Sequence, residues 1–355
     1  MGCEGAVLGN VCKFIFSCLY FVVSSLYSFL FKINVLKTKK FENLFVVSVG
    51  NLTAGGSGKT PFIILLSKIL SKQNIKHAVV SRGYKKNISR DAHMLPDDKF
   101  LKYSPDSFGD EPFMLFKVLK TVPVFVGHKV RSLLKMQRVF KGGVALIDDG
   151  YQTYELFKDI NILLLDCSLD ISSYKLLPLG LLREPLKEIK RADVVVLTKT
   201  NLTNSRNLSL LKKSFNRFIN TKKQAVFSSE YCSTLFHHKL NRFEKVDFNS
   251  FSFDGIRVVS LCGIANPFSF KSNIDDLNIK VLKRFVFSNH YKYSLKNTKG
   301  VVSFCLKNNV QTIITTKKDF YKIKPFFEGF ELYVLDVEHR IYDYDKLVNC
   351  LAREF

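Results

Sequence analysis

The feature that most constrains the fold is an apolar run followed by a glycine-rich turn and an apolar helical pattern. The run F-V-V-S-V covers residues 45–49 and ends at Gly50. The turn T-A-G-G-S-G-K-T occupies 53–60, and a helix that opens with proline is predicted over 61–73. Short β-branched runs favour a buried parallel strand, and proline is favoured in the first turn of a helix. A strand, a glycine-rich turn and a helix in this order predict a phosphate-binding loop.

The chemistry of this loop follows from its residue types. Its backbone N–H groups and the start of the following helix present partial positive charge to phosphate. Lys59 is predicted to reach the β- and γ-phosphates, and the Thr60 hydroxyl to bind Mg²⁺. The strict pattern G-x-x-x-x-G-K-[ST] is not met, because Thr53 stands at its first glycine. We predict binding of a nucleoside triphosphate with Mg²⁺ at Thr53, Ala54, Gly55, Gly56, Ser57, Gly58, Lys59 and Thr60.

Strands alternate with helices along most of the chain. Predicted strands lie at 45–49, 77–81, 122–126, 143–147, 160–165 and 194–197, and later at 257–262, 281–287, 311–315 and 333–336. This alternation predicts an α/β fold, a P-loop NTPase-like doubly wound and mostly parallel sheet. A chain of 355 residues is also long for one core. We expect an N-terminal membrane-associated helix at 1–38, a P-loop domain at 39–224, linker strands at 225–256 and a smaller C-terminal α/β domain at 257–355.

The segment 14–31 is uncharged and strongly apolar, and Lys13 and Lys32 bracket it. As a helix it would be roughly 27 Å long, which is marginal for crossing a bilayer. It could be a membrane anchor, a signal peptide or a buried core helix. Lys-rich sequence follows it rather than a small-residue cleavage site, which argues against a signal peptide. Its serines favour a helix lying partly in the membrane interface.

Composition limits the remaining classes. The 54 Lys and Arg against 31 Asp and Glu give a net charge of +23. Such a balance indicates either an anionic partner or a solvated surface of a Lys-rich chain. It is accompanied by no recognised nucleic-acid-binding motif, so we expect no nucleic-acid partner. The eight cysteines show no C-x-x-C pair, which indicates free thiols in a reducing compartment.

Several polar residues outside the loop are candidates for chemistry. Asp148 and Asp149 follow a predicted strand, where a Mg²⁺-binding carboxylate belongs, although Asp-Gly is also a common turn. Asp110, in G-D-E-P, could be a catalytic base or a helix cap. His290 alone would more often be an ordinary surface histidine. Arg82, Arg131 and Arg183 are candidates to hold phosphate, with exposed arginine on a solvated face as the alternative.

Together these motifs resemble the tetraacyldisaccharide 4′-kinase family, the lipid A 4′-kinases of Gram-negative bacteria. The extended first segment, with G-N-L-T before the loop and proline after it, is unusual among P-loop proteins. The matching segments run in family order: V-G-N-L-T-A-G-G-S-G-K-T-P (49–61), S-R-G-Y (81–84), G-D-E-P (109–112), D-D-G-Y-Q (148–152), P-L-G-L-L-R-E-P (178–185), L-T-K (197–199), C-G-I-A-N-P-F-S-F (262–270), F-S-N-H-Y-K-Y (287–293) and T-T-K-K-D (315–319).

The resemblance implies transfer of the γ-phosphate of ATP to the 4′-hydroxyl of a tetraacyl glucosamine disaccharide 1-phosphate, giving lipid IVA. It implies that Asp110 and His290 assist deprotonation of that hydroxyl from two different domains, with a substrate cleft that closes between them. It further implies a location at the cytoplasmic face of the bacterial inner membrane. We expect the protein to be a monomer. Within the matching motifs and the basic helix at 131–140, the predicted substrate contacts are Arg82, Tyr84, Arg131, Gln152, Arg183 and Glu184.

The chain departs from the family pattern at two places. Where the family usually has D-H-H, this chain has Asn289-His290-Tyr291, so the expected acid before the histidine is missing. Lys85 follows S-R-G-Y where glycine is frequent. The alternative function is a P-loop GTPase or ATPase that acts as a switch or metallochaperone. A guanine-reading string [NT]-K-x-D occurs at 316–319, and the string at 198–201 misses it by its last residue.

Overall fold

The computed structural model describes residues 2–83, 93–96 and 105–352. The chain divides into two compact units, each of which is described by itself. The first unit comprises Met1–Leu101, Leu115–Tyr231 and His339–Phe355. The second unit comprises Lys102–Met114 and Cys232–Glu338.

The helices and strands follow the chain in a regular alternation. The helices are α1 (Gly2–Lys32), α2 (Lys59–Lys72), α3 (Pro105–Phe108), α4 (Asp110–Leu119), α5 (Lys129–Phe140), α6 (Ser205–Asn216), α7 (Pro267–Asp275), α8 (Leu295–Lys307), α9 (Lys317–Ile323) and α10 (Tyr344–Ala352). The strands are β1 (Leu44–Asn51), β2 (His77–Ser81), β3 (His93–Leu95), β4 (Val124–Val126), β5 (Gly143–Asp148), β6 (Ile160–Asp166), β7 (Val194–Thr198), β8 (Ala225–Lys239), β9 (Arg242–Lys245), β10 (Val258–Cys262), β11 (Val281–Val286), β12 (Thr312–Thr316) and β13 (Glu331–Ile341).

The first unit contains a mostly parallel sheet with the strand order β8-β7-β6-β1-β5-β2-β4-β3. Its one antiparallel pair among the described strands joins β3 to β4. The central strands are buried along nearly their whole length, which is why they read as continuous apolar runs instead of alternating patterns. The predicted doubly wound sheet with the loop after β1 is confirmed.

Polar residues gather at the carboxyl edge of this sheet because parallel strands end together there. Val49 of β1 pairs with Asp148 of β5, and Asp166 of β6 pairs with Thr198 of β7. The phosphate-binding loop leaves β1 at the same edge. In open α/β sheets ligands bind at this edge, so the fold itself places the candidate residues beside one another.

The second unit has its own parallel sheet with the order β11-β10-β12-β13. The carboxyl half of β8 forms an antiparallel hairpin with β9. One apolar cluster forms around Ile274 and Ile314, and another around Val301 and Phe320. This sheet agrees with the predicted second α/β unit. The first strand of the expected linker at 225–256 is β8, which continues to Lys239 and therefore enters the second unit.

The segment around Asp110 lies elsewhere than the sequence-based boundaries place it. Residues 105–114 were expected in the P-loop domain, whereas their contacts assign them to the second unit. The reason is local packing, because Phe113 meets the ring of Tyr321 edge-on at 5.8 Å. Asp110 and His290 therefore share one unit, not two.

Buried cysteines behave as the composition indicates. Cys167, Cys262 and Cys305 are buried free thiols. Burial raises the pKa of Cys167 and of Cys262 to about 12, and that of Cys305 to about 11. These three side chains pack as small apolar groups and are held in the thiol form at neutral pH.

Candidate active site

The phosphate-binding loop turns into α2 at Gly58, which has a φ of 89°. A β-carbon at this position would lie 2.0 Å from the Tyr231 hydroxyl oxygen, so both the backbone angle and the space require glycine. Lys59 follows at the first position of the helix. Its ammonium donates to Asn51 Oδ1 at 3.0 Å and lies 3.4 Å from Asp149 Oδ1. The lysine is therefore held at the carboxyl edge of the sheet.

Asn51 forms side-chain hydrogen bonds with Thr53, Lys59 and Arg183 at this edge of the sheet. Its side chain is fully buried, and its amide nitrogen donates to the Thr53 carbonyl oxygen at 2.7 Å. Its amide oxygen accepts from Lys59 and, at 2.5 Å, from Arg183 Nη2. In the sequence, G-N-L-T is an unusual flank of the loop, but no role is predicted for Asn51 from it. A polar residue that ends a buried strand beside the loop was the available signal.

Asp149 is ion-paired with two cations. Arg183 Nη2 donates to Asp149 Oδ1 at 3.0 Å, and Nη1 donates to Oδ2 at 3.2 Å, a bidentate arrangement. Burial raises the pKa of Asp149, but the charges of Lys59 and Arg183 outweigh burial and hold the pKa well below its usual range. Asp149 is thus a carboxylate throughout the neutral range.

The residues predicted to bind Mg²⁺ supply oxygen donors of the kind this ion prefers. Asp148 is buried at the end of β5 and accepts from the Ser81 hydroxyl at 3.2 Å. Asp149 stands next to it, and Thr60 follows Lys59 on the first turn of α2. Among the residues that the structure describes, no group of three or more His, Cys, Asp or Glu side chains forms a metal cluster. Two carboxylates and a hydroxyl fit a Mg²⁺ that takes its other ligands from phosphate and water.

Lys129 is a basic residue of this edge that the sequence analysis missed. It opens α5, and its ammonium donates to the Asp149 carbonyl oxygen and, at 3.1 Å, to Thr153 Oγ1. Burial lowers the pKa of Lys129; the charges of Asp149 and Asp148 oppose this effect and those of Arg82 and Arg183 add to it, so that the pKa is about 8. Its position directly after a strand that ends at this edge was the signal.

The remaining predicted substrate residues divide into three groups. Arg82 and Arg131 have exposed side chains, Arg82 after β2 and Arg131 on α5. Tyr84 lies outside the described residues. Gln152 and Glu184 are joined by a hydrogen bond of 3.1 Å. Glu184 is buried and also accepts from Arg191 Nη2 at 2.6 Å, so its carboxylate is largely occupied by protein donors.

The N-terminal helix contacts the segment that carries Arg183. The Tyr20 hydroxyl donates to the Arg183 carbonyl oxygen at 2.8 Å, and the Ser17 hydroxyl donates to the Leu176 carbonyl oxygen at 3.3 Å. The ring of Phe31 stacks on that of Tyr154 at 5.7 Å. The helix that is apolar enough to associate with a membrane is therefore packed against residues of the candidate site.

In the second unit, Asp110 and His290 are in direct contact. Asp110 is the first residue of α4, and its Oδ2 lies 3.0 Å from His290 Nδ1. Because a carboxylate can only accept, Nδ1 donates to it, and in the neutral imidazole Nε2 is then the acceptor nitrogen. His290 has a φ of 58°, an uncommon backbone conformation that orients its ring from a tight turn. Asp110 is the carboxylate partner of this histidine. His290 therefore has a carboxylate partner although position 289 is asparagine.

Two lysines of α9 surround the pair, and the sequence analysis missed both. Lys322 is buried between Asp110 Oδ2 at 3.2 Å and Asp319 Oδ1 at 3.1 Å. Lys318 Nζ lies 3.5 Å from His290 Nε2. Burial raises the pKa of Asp110, but the hydrogen bond from His290 and the charges of Lys322 and Lys318 outweigh it and lower the pKa to about 2. Asp110 is therefore ionised wherever the protein is folded at ordinary pH.

The structure thus brings Lys59, Thr60, Asp148, Asp149 and Arg183 to one sheet edge, and Asp110 and His290 to one contact. A glycine-rich loop between a buried strand and a helix, at the carboxyl edge of a parallel sheet, defines a protein of the P-loop class. The family model described as tetraacyldisaccharide-1-P 4′-kinase matches residues 11–355, and the chain belongs to that family.

Individual relatives agree with this assignment. The chain is 32% identical over 340 residues to a tetraacyldisaccharide 4′-kinase of Desulfatibacillum aliphaticivorans, covering 95% of this chain and 89% of the relative. It is 32% identical over 346 residues to that of Aquifex aeolicus, covering 96% and 97%. The solved structure of Aquifex aeolicus LpxK in complex with ATP matches with a TM-score of 0.74 at 30% identity, covering 96% of this chain and 98% of that one.

Proposed function

We propose that this chain transfers the γ-phosphate of ATP to the 4′-hydroxyl of a tetraacyl glucosamine disaccharide 1-phosphate, as its family membership implies. The observation that carries the chemistry is the 3.0 Å contact between His290 Nδ1 and Asp110. A P-loop protein that only binds and releases nucleotide has no need of an oriented base for an alcohol. A kinase needs one, because the acceptor hydroxyl has to lose its proton as the new bond forms.

The loop and its partners supply binding and charge neutralisation. The N–H groups of the loop and the start of α2 face the triphosphate, and Lys59 reaches the β- and γ-phosphates. Thr60, Asp148 and Asp149 would hold Mg²⁺, which would neutralise phosphate charge. Arg183 is oriented by Asp149 and Asn51, so its guanidinium is positioned beside Lys59. Phosphoryl transfer demands little more from a protein than this positioning and electrostatic stabilisation.

His290 is the proton acceptor. Its Nε2 lone pair takes the proton of the 4′-hydroxyl, while Nδ1–H remains bonded to Asp110. The ionised Asp110 stabilises the imidazolium that forms, and it fixes the tautomer that makes Nε2 the acceptor. Lys322 keeps Asp110 ionised and in place. Asp110 thus orients the base and balances its charge, while the proton itself goes to the imidazole.

The guanine-specific alternative is disfavoured by the positions of its two candidate motifs. Asp319, the acid of the string at 316–319, is fully buried and accepts from the Gly263 N–H at 2.8 Å and the Thr316 hydroxyl at 2.8 Å. Asn201, the last residue of the string at 198–201, exchanges two hydrogen bonds with the main chain of Tyr231. Neither side chain is presented to a base, which favours ATP over GTP.

The decisive assay incubates the purified full-length chain in detergent with Mg²⁺, ATP and the tetraacyl disaccharide 1-phosphate. We expect a bisphosphorylated lipid, detected by mass spectrometry, and no product after chelation of the metal. GTP should support far less product than ATP. Steady ATP hydrolysis without lipid phosphorylation would instead favour the switch or chaperone alternative.

We further propose that α1 holds the protein at the cytoplasmic face of the inner membrane, where the lipid substrate is presented. Its segment Cys12–Lys32 is long and apolar enough to cross a membrane, with only 6% of its most apolar window buried. Leu19, Val23 and Leu26 are 58%, 59% and 55% exposed. The hydrogen bond from the Tyr20 hydroxyl to the Arg183 carbonyl oxygen supports this proposal, because Arg183 is a candidate site residue.

The triple variant Leu19→Glu, Val23→Glu and Leu26→Glu should lose association with phosphatidylcholine vesicles, because three charges on the apolar surface oppose insertion. Co-sedimentation measures the bound fraction. The matched control changes three exposed leucines outside α1, namely Leu240→Glu, Leu295→Glu and Leu306→Glu, which are 86%, 75% and 68% exposed. The control should sediment like wild type; equal binding by both triple variants would show that α1 is not the membrane contact.

A further inference from the structure

Three successive carbonyl groups of the phosphate-binding loop are captured by side chains. The Gly56 carbonyl oxygen accepts from Lys199 Nζ at 2.7 Å. The Ser57 carbonyl oxygen lies 3.4 Å from Thr198 Oγ1, whose one proton it shares with the Leu165 carbonyl oxygen at 3.3 Å. The Gly58 carbonyl oxygen lies 2.9 Å from His339 Nε2 and also accepts from the Phe62 N–H of α2 at 3.1 Å. Lys199 and Thr198 follow from the L-T-K motif at the end of β7. His339 belongs to β13 and lies 281 positions after Gly58 in the sequence.

The direction of these carbonyls determines where the loop N–H groups point. In a trans peptide the C=O of one residue and the N–H of the next point in opposite directions. The N–H groups of Ser57, Gly58 and Lys59 therefore face away from the three side chains. This is the orientation that an anion-binding loop requires. In this structure the Ser57 N–H is directed to the Gly55 carbonyl oxygen at 3.2 Å, a weak local contact that phosphate can replace.

His339 has the hydrogen-bonding state that this role demands. The Gly58 carbonyl can only accept, so Nε2 carries the proton, and Nδ1 accepts from the Ser229 hydroxyl at 2.6 Å. The side chain is buried, and burial lowers the pKa of His339 to about 4. The ring is neutral from about pH 5 upwards and keeps the same tautomer throughout the working range of an enzyme.

The surroundings leave the ring little freedom. The ring of Tyr231 meets His339 edge-on at 4.9 Å, and that of Phe62 does so at 5.3 Å. Gly58 packs directly against this cluster, since a β-carbon there would lie 2.8 Å from His339 Nε2. The imidazole therefore touches the loop at its turn into α2, immediately before Lys59.

We propose that His339 is a positioning residue for the nucleotide, which fixes the Gly58 carbonyl so that the following N–H and Lys59 are aimed at the phosphates. Lys199 and Thr198 support the two preceding peptides in the same way. The inference rests on the proposed binding of ATP by this loop. It assigns to a histidine of β13 a role that neither its distance in sequence nor its surroundings in H-R-I-Y would suggest.

The chain offers a matched control for this residue. His77 is buried to the same extent, 6% exposed, in the same unit. It also contacts one backbone carbonyl, that of Ile75 at 2.8 Å, and one serine hydroxyl, that of Ser67 at 2.8 Å. Loss of a buried, doubly hydrogen-bonded histidine can thus be measured separately from loss of contact with the loop.

The test compares His339→Gln and His339→Asn in the full-length protein. The Gln amide nitrogen reaches the position of the histidine Nε2 and retains a donor to Gly58, whereas the shorter Asn replaces only Nδ1. We expect His339→Asn to raise the Kd for Mg-ATP about tenfold, the size expected for a lost buried hydrogen bond. His339→Gln should restore most of this affinity. The equivalent variants His77→Asn and His77→Gln should lower the Tm and leave the Kd for ATP unchanged.

A second matched pair covers the case in which His339→Asn does not fold. Ser229→Ala removes the bond that orients the His339 ring, and Ser67→Ala removes the corresponding bond to His77. Only Ser229→Ala should raise the Kd for ATP, by about threefold on the same reasoning. Wild-type affinity in both His339→Asn and Ser229→Ala would overturn the proposal. A wild-type chain that does not bind ATP would overturn the proposed function and this inference together.

Discussion

Asp110→Asn should lower kcat for lipid phosphorylation by about 10²–10⁴-fold, the usual contribution of general acid–base catalysis. The amide removes the negative charge that stabilises the protonated His290, and it can present a donor to Nδ1 and favour the wrong tautomer. The Kd for ATP should stay within about twofold of wild type, because the loop and its ligands lie in the first unit and are untouched. Single-turnover assays separate the two quantities.

His290→Gln should show a loss of the same size, and the double variant should be little worse than either single one. Residues that act as one unit give such non-additive effects. Asp336→Asn is the matched control, since Asp336 is a partly buried carboxylate of the second unit that is ion-paired with Lys317. Near-normal turnover by Asp110→Asn would show that the pair is not the base.

The lowered pKa of Asp110 determines the pH range in which its carboxylate stabilises the fold. The pKa of about 2 in the folded protein lies below the ordinary aspartate value of 3.8. The ionised carboxylate therefore stabilises the fold above about pH 4, and that contribution is lost as the pH falls from 3.8 through 2. Between pH 5 and 9 the charge of Asp110 is constant, so an acid limb in the kcat profile over that range does not come from titration of this group.

Lys59→Met should reduce kcat/KM for ATP by about 10²–10³-fold, the cost of removing one preorganised electrostatic contact to the transition state. Methionine retains the length of the side chain without the ammonium, so the phosphates lose their cationic partner. Asp149 is ion-paired with both Lys59 and Arg183, and the substitution removes the pair with Lys59. Initial rates over a range of ATP concentrations give both kcat and KM.

Lys76→Met is the control for Lys59→Met. Lys76 belongs to the same unit, and its ammonium donates to the Phe140 carbonyl oxygen at 2.6 Å and lies over the Phe140 ring. It is thus a lysine with a structural contact and no part in the candidate site. Unchanged ATP kinetics in Lys59→Met would contradict the role of the loop.

The elements of the first unit could be predicted because they depend on local pattern. Buried parallel strands read as apolar runs, and the loop between β1 and α2 has a composition of its own. The strand predicted at 77–81 matches β2 at both ends. The positions of Asp148 and Asp149 followed from the rule that parallel strands end at a common edge.

What could not be predicted depends on contacts between residues far apart in sequence. Lys322 reaches Asp110 across 212 positions, and His339 reaches Gly58 across 281. No period or motif in a single sequence marks such pairs. The assignment of Asp110 to the P-loop domain had the same cause, since its partners on α9 and in the turn at His290 are distant in sequence and cannot be read from its neighbours.

Asp110 and His290 come from separate segments of the sequence, which limits how this chain can be divided or recombined. Asp110 and His290 are separated by 180 positions, and the segment that carries Asp110 interrupts the stretches that build the first unit. A fragment covering residues 232–338 would carry the histidine and leave its carboxylate behind. Gene fusion or exchange of this segment as a cassette would therefore transfer an incomplete base. The proposed proton-transfer pair therefore requires both segments of the chain.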